Sequence, residues 1–318
     1  MSGTDASGAD PIGSKSSALD ARAATGIAAG LAAGALWGLV FVAPRMLDNF
    51  GMVDVTAARF VVFGAVAALV AATRPAGHRW PGRRHWPAAL WLSVLGFSGY
   101  YLLLAWSIAI ASTAVPSLII GTIPLWMMLL GRPAGLRWRT LIPGLALTAA
   151  GVGLMTASAW PEGGAGGQQW GWGLLMALGA MASWTAFGLL NSRWLQRHPE
   201  VQAADWANWL GIATGLGALA LWLLAGTSLD ALLAQPKLGL FVLVALGAGV
   251  GSSWLATVLW NVASQRLSAS LCGQLIVSET LFALLYAFLW DGRWPQPAEM
   301  AAAALFVLGI LASIRAHR

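Results

Sequence analysis

Thr25-Gly-Ile-Ala-Ala-Gly-Leu-Ala-Ala-Gly-Ala-Leu-Trp-Gly-Leu-Val-Phe-Val42 runs eighteen residues without a charge. It forms most of an apolar segment from about 25 to 46, close to the ~20 residues that carry a helix across the hydrocarbon core of a bilayer. Working outward, nine similar runs follow at roughly 53–73, 87–109, 113–130, 138–159, 170–192, 204–225, 238–263, 270–290 and 297–315. Together they take up nearly the whole 318-residue chain, which is 58% hydrophobic and 9% charged with a mean hydropathy of +0.71. Soluble domains carry ~25% charged residues, so most of this surface must face lipid. The expected fold is an all-α integral membrane protein with ten transmembrane helices. Residues 1–23 have no apolar periodicity and are expected to be a disordered tail, not a secretory leader.

With ten spans, alternate loops lie on one side. One side collects Lys15, Arg22, Arg74, Arg79, Arg83, Arg84, Arg132, Arg137, Arg139, Arg193, Arg197, Arg266, Arg315 and Arg318. The other holds only Arg45, Lys237 and Arg293. The positive-inside rule then puts both termini in the cytoplasm, in an inner membrane. The same dispersal accounts for the net charge of +6 and removes the case for nucleic-acid binding. The lone Cys272 excludes an intrachain disulfide and a cysteine zinc site. His78, His85, His198 and His317 all fall in loops or the tail, no P-loop sequence occurs, and both lysines lie outside the runs. No metal, nucleotide or retinal cofactor is expected.

Tryptophan is the other compositional outlier, at 19 residues. Trp80, Trp86, Trp138, Trp160, Trp170, Trp194, Trp290 and Trp294 fall at run ends and read as headgroup-level anchors. Trp37, Trp106, Trp184, Trp209, Trp254 and Trp260 lie deeper, where an indole N–H seeks a partner or a wet cavity, so they are candidates for a lining.

Leu31-Ala-Ala-Gly-Ala-Leu-Trp37 matches Leu178-Gly-Ala-Met-Ala-Ser-Trp184 at an offset of 147 residues, and Ala105-Trp106 resembles Leu259-Trp260 at an offset of 154. Each half then carries five spans. An odd number forces two similar halves into opposite orientations, the inverted-repeat arrangement with a binding site between them near the midplane. The expected halves are residues 24–160 and 168–316. Gly26, Gly30, Gly34 and Gly38 give the first helix one groove for close packing, which turns Trp37 toward a different neighbour. Trp37 and Trp184 correspond under the repeat and are expected to face each other.

Glu279 is the one carboxylate placed at mid-helix. Holding it charged there costs on the order of 3 kcal/mol on insertion scales. Keeping it protonated at pH 7 costs roughly 3.7 kcal/mol, because a glutamate side chain in water ordinarily titrates near pH ~4.3. So close a balance suits a proton-coupling group; a permanently bonded Glu that orients helices is the alternative. Gln274 and Ser278 share a face with Glu279 one position round, giving a polar stripe on the ninth helix. Tyr100, Tyr101 and Asn261 are further polar groups at depth; Asn261 equally suits an interhelical bond. Arg59 sits some six residues into the second helix, where it could snorkel outward or pair inward; snorkelling is the expected course, with a part in packing or topology. Pro116 and Pro124 are expected to kink the fourth helix.

Leu36-Trp-Gly-Leu-Val-Phe-Val-Ala-Pro44 followed by Val55-Thr-Ala-Ala-Arg-Phe60 resembles the opening of the EamA-type drug/metabolite transporter superfamily. Ala111-Ser-Thr-Ala114 leading to Ile123-Pro124, and Leu267-Ser-Ala-Ser270 leading to Phe282-Ala-Leu-Leu285, are similar to it as well. The resemblance covers residues 25–315 and implies ten helices in two inverted halves and secondary transport, commonly export, of small metabolites. The chain departs from the family at Ser278-Glu-Thr280, where a Pro is common, and at Asp291, where a Glu is common. Substrate assignments from relatives with that Pro therefore do not carry over.

The expectation is an alternating-access transporter, with no enzymatic activity, for a neutral or zwitterionic organic solute such as an amino acid. Trp37, Tyr100, Tyr101, Trp184, Trp260, Asn261, Gln274 and Ser278 would line the path and Glu279 would couple it to protons. The lipid bilayer is its other partner, and its oligomeric state is open. A facilitative channel or uniporter, and an intramembrane lipid-modifying enzyme using Glu279 as base, are the alternatives.

Overall fold

The computed structural model describes residues 11–42, 46–75, 82–111, 114–159, 168–292 and 294–317. Among these residues all regular structure is helical, in ten membrane segments. We label them α1 (Pro11–Gly38), α2 (Met52–Ala72), α3 (Arg83–Ile110), α4a and α4b (Ala114–Ile120 and Ile123–Leu130), α5 (Trp138–Ala159), α6 (Gln168–Arg197), α7 (Ala203–Ala225), α8 (Leu238–Arg266), α9 (Ala269–Asp291) and α10 (Pro297–Ala316). Nine of them are long and apolar enough to cross a membrane, and α4 contributes the shorter apolar stretch Leu118–Leu130. A short helix, Leu229–Leu233, follows α7.

Local sequence accounts for the boundaries. Gln296 and Glu299 form a reciprocal capping box ahead of Pro297 at the start of α10. Gly292, at φ 60°, ends α9 in the left-handed conformation that only a residue without Cβ adopts cheaply. The fourth helix breaks at Gly121–Thr122, where Thr122 Oγ1 donates to Ile119 O at 2.6 Å and Pro124 opens the second piece. Two features differ from the sequence reading. α1 begins at Pro11, so residues 11–23 extend the helix instead of forming an unstructured tail; residues 1–10 lie outside the described residues. α3 and α8 each contain a π-helical segment, Val94–Ser98 and Ala248–Leu255, within an otherwise continuous span.

The helices pack in pairs that recur between the two halves. α2 lies on α7, α5 on α10, and α4b on α9, while α1 packs on α8 and α9 much as α6 packs on α3 and α4. Exchanging each helix for the one five later maps this list of partners onto itself. α2 and α7 cross backbone against backbone. A Cβ placed on Gly64 would lie 2.8 Å from Gly215 Cα, and one placed on Gly215 would lie 2.8 Å from Gly64 Cα. Both ends of the pair are tied by a carboxylate three residues into a helix. Asp205 of α7 accepts from Arg74 Nη2 at 3.0 Å, just past the end of α2. Asp54 of α2 accepts from Thr227 N at 2.9 Å, Thr227 Oγ1 at 2.7 Å and Trp222 Nε1 at 3.1 Å, at the end of α7. Each buried charge is thus satisfied by the partner helix.

The glycines of α1 lie against α8 and α9. Gly26 meets Leu267, Gly30 meets Leu275 and Ala263, Gly34 abuts Ser278 and the backbone N of Glu279, and Gly38 approaches the backbone N of Ala283. Any side chain there would push the two backbones apart, so the stripe sets the α1–α9 distance.

Candidate functional site

Three tryptophans from three helices meet inside the bundle. Trp37 of α1 lies 6.2 Å from Trp184 of α6 in an edge-on arrangement and 5.4 Å from Trp260 of α8, with Trp184 and Trp260 6.1 Å apart. These separations fall within the range of attractive aromatic pairs. Trp260 is 1% exposed and its indole Nε1 is buried with no hydrogen-bond partner among the described residues. Trp37 can reach this place because the α1 glycines occupy the face turned to α9, about a third of a turn away.

An aromatic chain leads from this cluster to the only groups at depth that carry formal charge among the described residues of the centre. Trp184 contacts Phe187 at 5.9 Å, Phe187 contacts Phe97 at 5.4 Å, Phe97 contacts Phe60 at 5.9 Å, and Phe60 contacts Tyr101 at 5.8 Å. Tyr100 lies 6.2 Å from Tyr101. Both tyrosines directly follow the π segment of α3, and such segments re-aim the side chains that follow them.

Arg59 overturns the snorkelling expectation. Its guanidinium turns inward, with Nε donating to Ser253 Oγ at 2.7 Å and Nη2 to Ser252 O at 3.3 Å, while Cζ lies 5.0 Å from the centroid of the Phe60 ring. The acceptors belong to the π segment of α8, whose Gly249-Val-Gly-Ser-Ser253 sequence supplies small residues and two hydroxyls at that depth. Satisfying a guanidinium inside the bundle removes the reason to reach for the membrane surface. Arg59 lies close enough to Tyr100, Tyr101 and Glu279 to interact with all three electrostatically. Glu279 is half-buried and makes no hydrogen bond or ion pair among the described residues. A carboxylate and a guanidinium that sense each other without closing a salt bridge leave donors and acceptors for a third group.

The remaining residues of the expected path are placed elsewhere. Asn261 is fully buried, accepting from Asn191 Nδ2 at 3.1 Å and donating to Ala203 O at 3.2 Å, so in this conformation it ties α8 to α6 and α7. Gln274 exchanges hydrogen bonds with Thr148 Oγ1 of α5 and accepts from Ser313 Oγ of α10 at 3.0 Å. Ser278 donates to Leu275 O on its own helix, beneath Gly34. The polar stripe of α9 therefore divides, with Gln274 and Ser278 at helix contacts and Glu279 at the centre.

The deep tryptophans divide as well. Trp106 is 52% exposed on the outer surface, so it is not part of a lining. Trp254 donates its indole N–H to Asn208 Oδ1 at 2.8 Å, and Trp209 packs on Trp86 at 5.0 Å. Among the expected anchors, Trp138, Trp290 and Trp294 are exposed, whereas Trp194 stacks on buried Trp206 at 3.5 Å. Trp80 and Trp160 lie outside the described residues, and the structure does not describe the Trp170 side chain. The residues missed from sequence are Ser252 and Ser253, for which the Gly-Ser-Ser run was the available signal, and Asn191 and Asn208, which bond to residues on other helices and carry no local signature.

The EamA-like transporter family model matches residues 24–157 and again residues 171–315. Inner membrane protein YtfF of Escherichia coli (strain K12) is 31% identical over 309 residues, which cover 92% of this chain and 95% of that protein. A probable terminal-alkyne amino-acid exporter of Streptantibioticus cattleyicolor is 26% identical over 289 residues, 86% of this chain and 88% of that protein. A solved structure described only as a crystal structure of protein superimposes with a TM-score of 0.74 at 21% identity, covering 91% of this chain and 98% of that one. That last likeness concerns the fold alone.

Proposed function

Because the chain belongs to the EamA-like transporter family, we propose that this multi-pass membrane transporter exports a small zwitterionic or neutral organic solute, such as an amino acid, across an inner membrane by proton-coupled alternating access. The observation that carries the reading is the meeting of Trp37, Trp184 and Trp260 at one end of an aromatic chain that reaches Arg59 and Glu279 at the other. A zwitterion presents one anionic and one cationic group. Arg59 offers a planar donor fork for a carboxylate, Glu279 an acceptor for an ammonium, and the indole faces a surface for apolar or cationic substituents. The inner-membrane placement follows the name of the Escherichia coli relative, and the solute class agrees with the exporter name of the Streptantibioticus cattleyicolor relative.

The two family matches and the exchange of packing partners between halves support an inverted duplication, with both termini cytoplasmic by the cation bias. Glu279 then carries the proton. Its charged and neutral forms differ little in cost at depth, so the change from dry to wet surroundings during the cycle is enough to load or release it. In proteoliposomes, a panel of radiolabelled amino acids should show saturable counterflow for at least one member. Trp37→Phe and Trp184→Phe should weaken its apparent affinity several-fold. A panel in which no solute exchanges, or variants that leave the affinity of the exchanging solute unchanged, would defeat the reading.

A further inference from the structure

Where α6 and α8 end, beside Ala21–Thr25 of α1, they leave an open pocket of about 560 Å³, away from the tryptophan cluster. Arg22 and Thr25 of α1, Gln196 of α6, and Gln265 and Arg266 of α8 supply its polar wall, and no acidic side chain lines it among the described residues. The carboxamides hold the wall in place. Gln196 Nε2 donates to Leu267 O at 2.8 Å and Ser264 O at 3.0 Å, joining α6 to α8, and Gln265 Nε2 donates to Val201 O at 2.8 Å. The two guanidiniums are left with spare donors. Arg22 Nη2 gives one bond to Gln265 O at 3.2 Å, out of five N–H groups. Arg266 makes no hydrogen bond or ion pair among the described residues.

The helices that carry these two exposed arginines touch at this level. Gly26 lies one turn beyond Arg22, and a Cβ placed on it would sit 3.0 Å from Arg266 Cβ. The positive-inside rule explains why both cations lie at this end of the bundle, but not why they converge on one cavity with rigid walls. Two like charges on touching helices repel, and an anion bridging them relieves the repulsion while using both donor forks.

We propose that this pocket binds the phosphate of an anionic membrane phospholipid. It lies at the ends of spanning helices, the depth of the headgroups. Below it, Ala28 and Ala32 leave the outer flank of α1 exposed, along which an acyl chain can run, and Leu195 gives the pocket an apolar floor. Basic pockets between membrane helices on the cytoplasmic side take anionic headgroups in this way. A soluble phosphate would share the chemistry but would gain nothing from the flank of α1.

The test uses the full-length protein purified from mixed phosphatidylglycerol and phosphatidylcholine vesicles, with retained lipid counted by native mass spectrometry. Phosphatidylglycerol should be retained over phosphatidylcholine, and R22Q/R266Q should lower its affinity about ten- to thirty-fold, as expected for the loss of two basic contacts near the surface. R193Q/R197Q removes the same charge from exposed positions outside the pocket and should leave retention nearly intact. Equal loss in both pairs, or in neither, overturns the site. R22K/R266K keeps the charge without the planar fork. It should lower retention several-fold, and it carries the test if the glutamine pair fails to fold. Millimolar inorganic phosphate should compete weakly with bound phosphatidylglycerol. If phosphate raises the melting temperature through these arginines while no phosphatidylglycerol is retained, the lipid source is overturned.

Discussion

Gly64→Ala is the sharpest test of the packing. The new methyl would sit 2.8 Å from Gly215 Cα and 3.1 Å from Gly211 O, against the ~3.5–4.0 Å at which carbon atoms pack best. Both obstacles are backbone, so no side chain can rotate away, and α2 and α7 must part by about 1 Å. Overpacking of this kind costs roughly 1–3 kcal/mol. Alanine recovers up to about 1 kcal/mol of helix propensity, which leaves a net loss of up to about 2 kcal/mol. Gly215→Ala meets the same gap from the other side and should cost a similar amount. Once one methyl has separated the helices, the second fits into space already opened, so the double variant should cost clearly less than the sum of the singles. Gly153→Ala in α5, where a Cβ would meet nothing within 4 Å, is the control and should be neutral or stabilising. Reversible unfolding in mixed micelles, read as free energy against denaturant mole fraction, measures all four. Singles at positions 64 and 215 that match the Gly153→Ala control, or strictly additive costs, would refute the close crossing.

Three further outcomes follow from the ties and the ring cluster. Arg74→Met should destabilise by about 2 kcal/mol, less than the ~3–5 kcal/mol for breaking a fully buried pair, because the Arg74 side chain is 28% exposed while Asp205 is 1%; the same unfolding assay reads it, and Arg74→Met/Asp205→Asn should recover part of the loss. Asp54→Ala strands the half-buried N–H groups of Trp222 and Thr227 and should cost about 1–2 kcal/mol by that assay. Trp206→Phe and Trp260→Phe should separate stability from transport. The first loses the bond from Nε1 to Asn191 Oδ1 at 2.8 Å and should unfold more easily by about 1–2 kcal/mol; the second loses no protein bond and should instead raise the solute concentration needed for half-maximal counterflow.

The span positions were legible because an uninterrupted apolar run of bilayer length has few other uses, and the structural segments follow those runs closely for α2 through α10. The start of the first helix was not, because Pro11 to Asp20 has the polar, small-residue composition of a tail, although it continues a helix held further on by the glycine stripe. Trp106 and Trp254 show where the sequence goes silent. A span that is apolar on every side carries no periodicity to separate its lipid face from its protein face, so Trp106 on the outside and Trp254 bonded to Asn208 look alike in sequence. The inward turn of Arg59 depends on Ser252 and Ser253 nearly two hundred residues away and on a π segment that brings them into reach. Trp37 and Trp184 could be singled out because their flanking residues match across the two halves.

The most direct measurement compares wild type with Glu279→Gln in proteoliposomes that carry a pH gradient, using the solute found by counterflow. Wild type should concentrate that solute against its gradient. Glu279→Gln should keep exchange at equal concentrations on both sides while losing accumulation driven by the pH gradient. Undiminished accumulation by the variant would contradict the assignment of the proton to Glu279, and wild-type exchange with no response to the gradient would make the protein a uniporter.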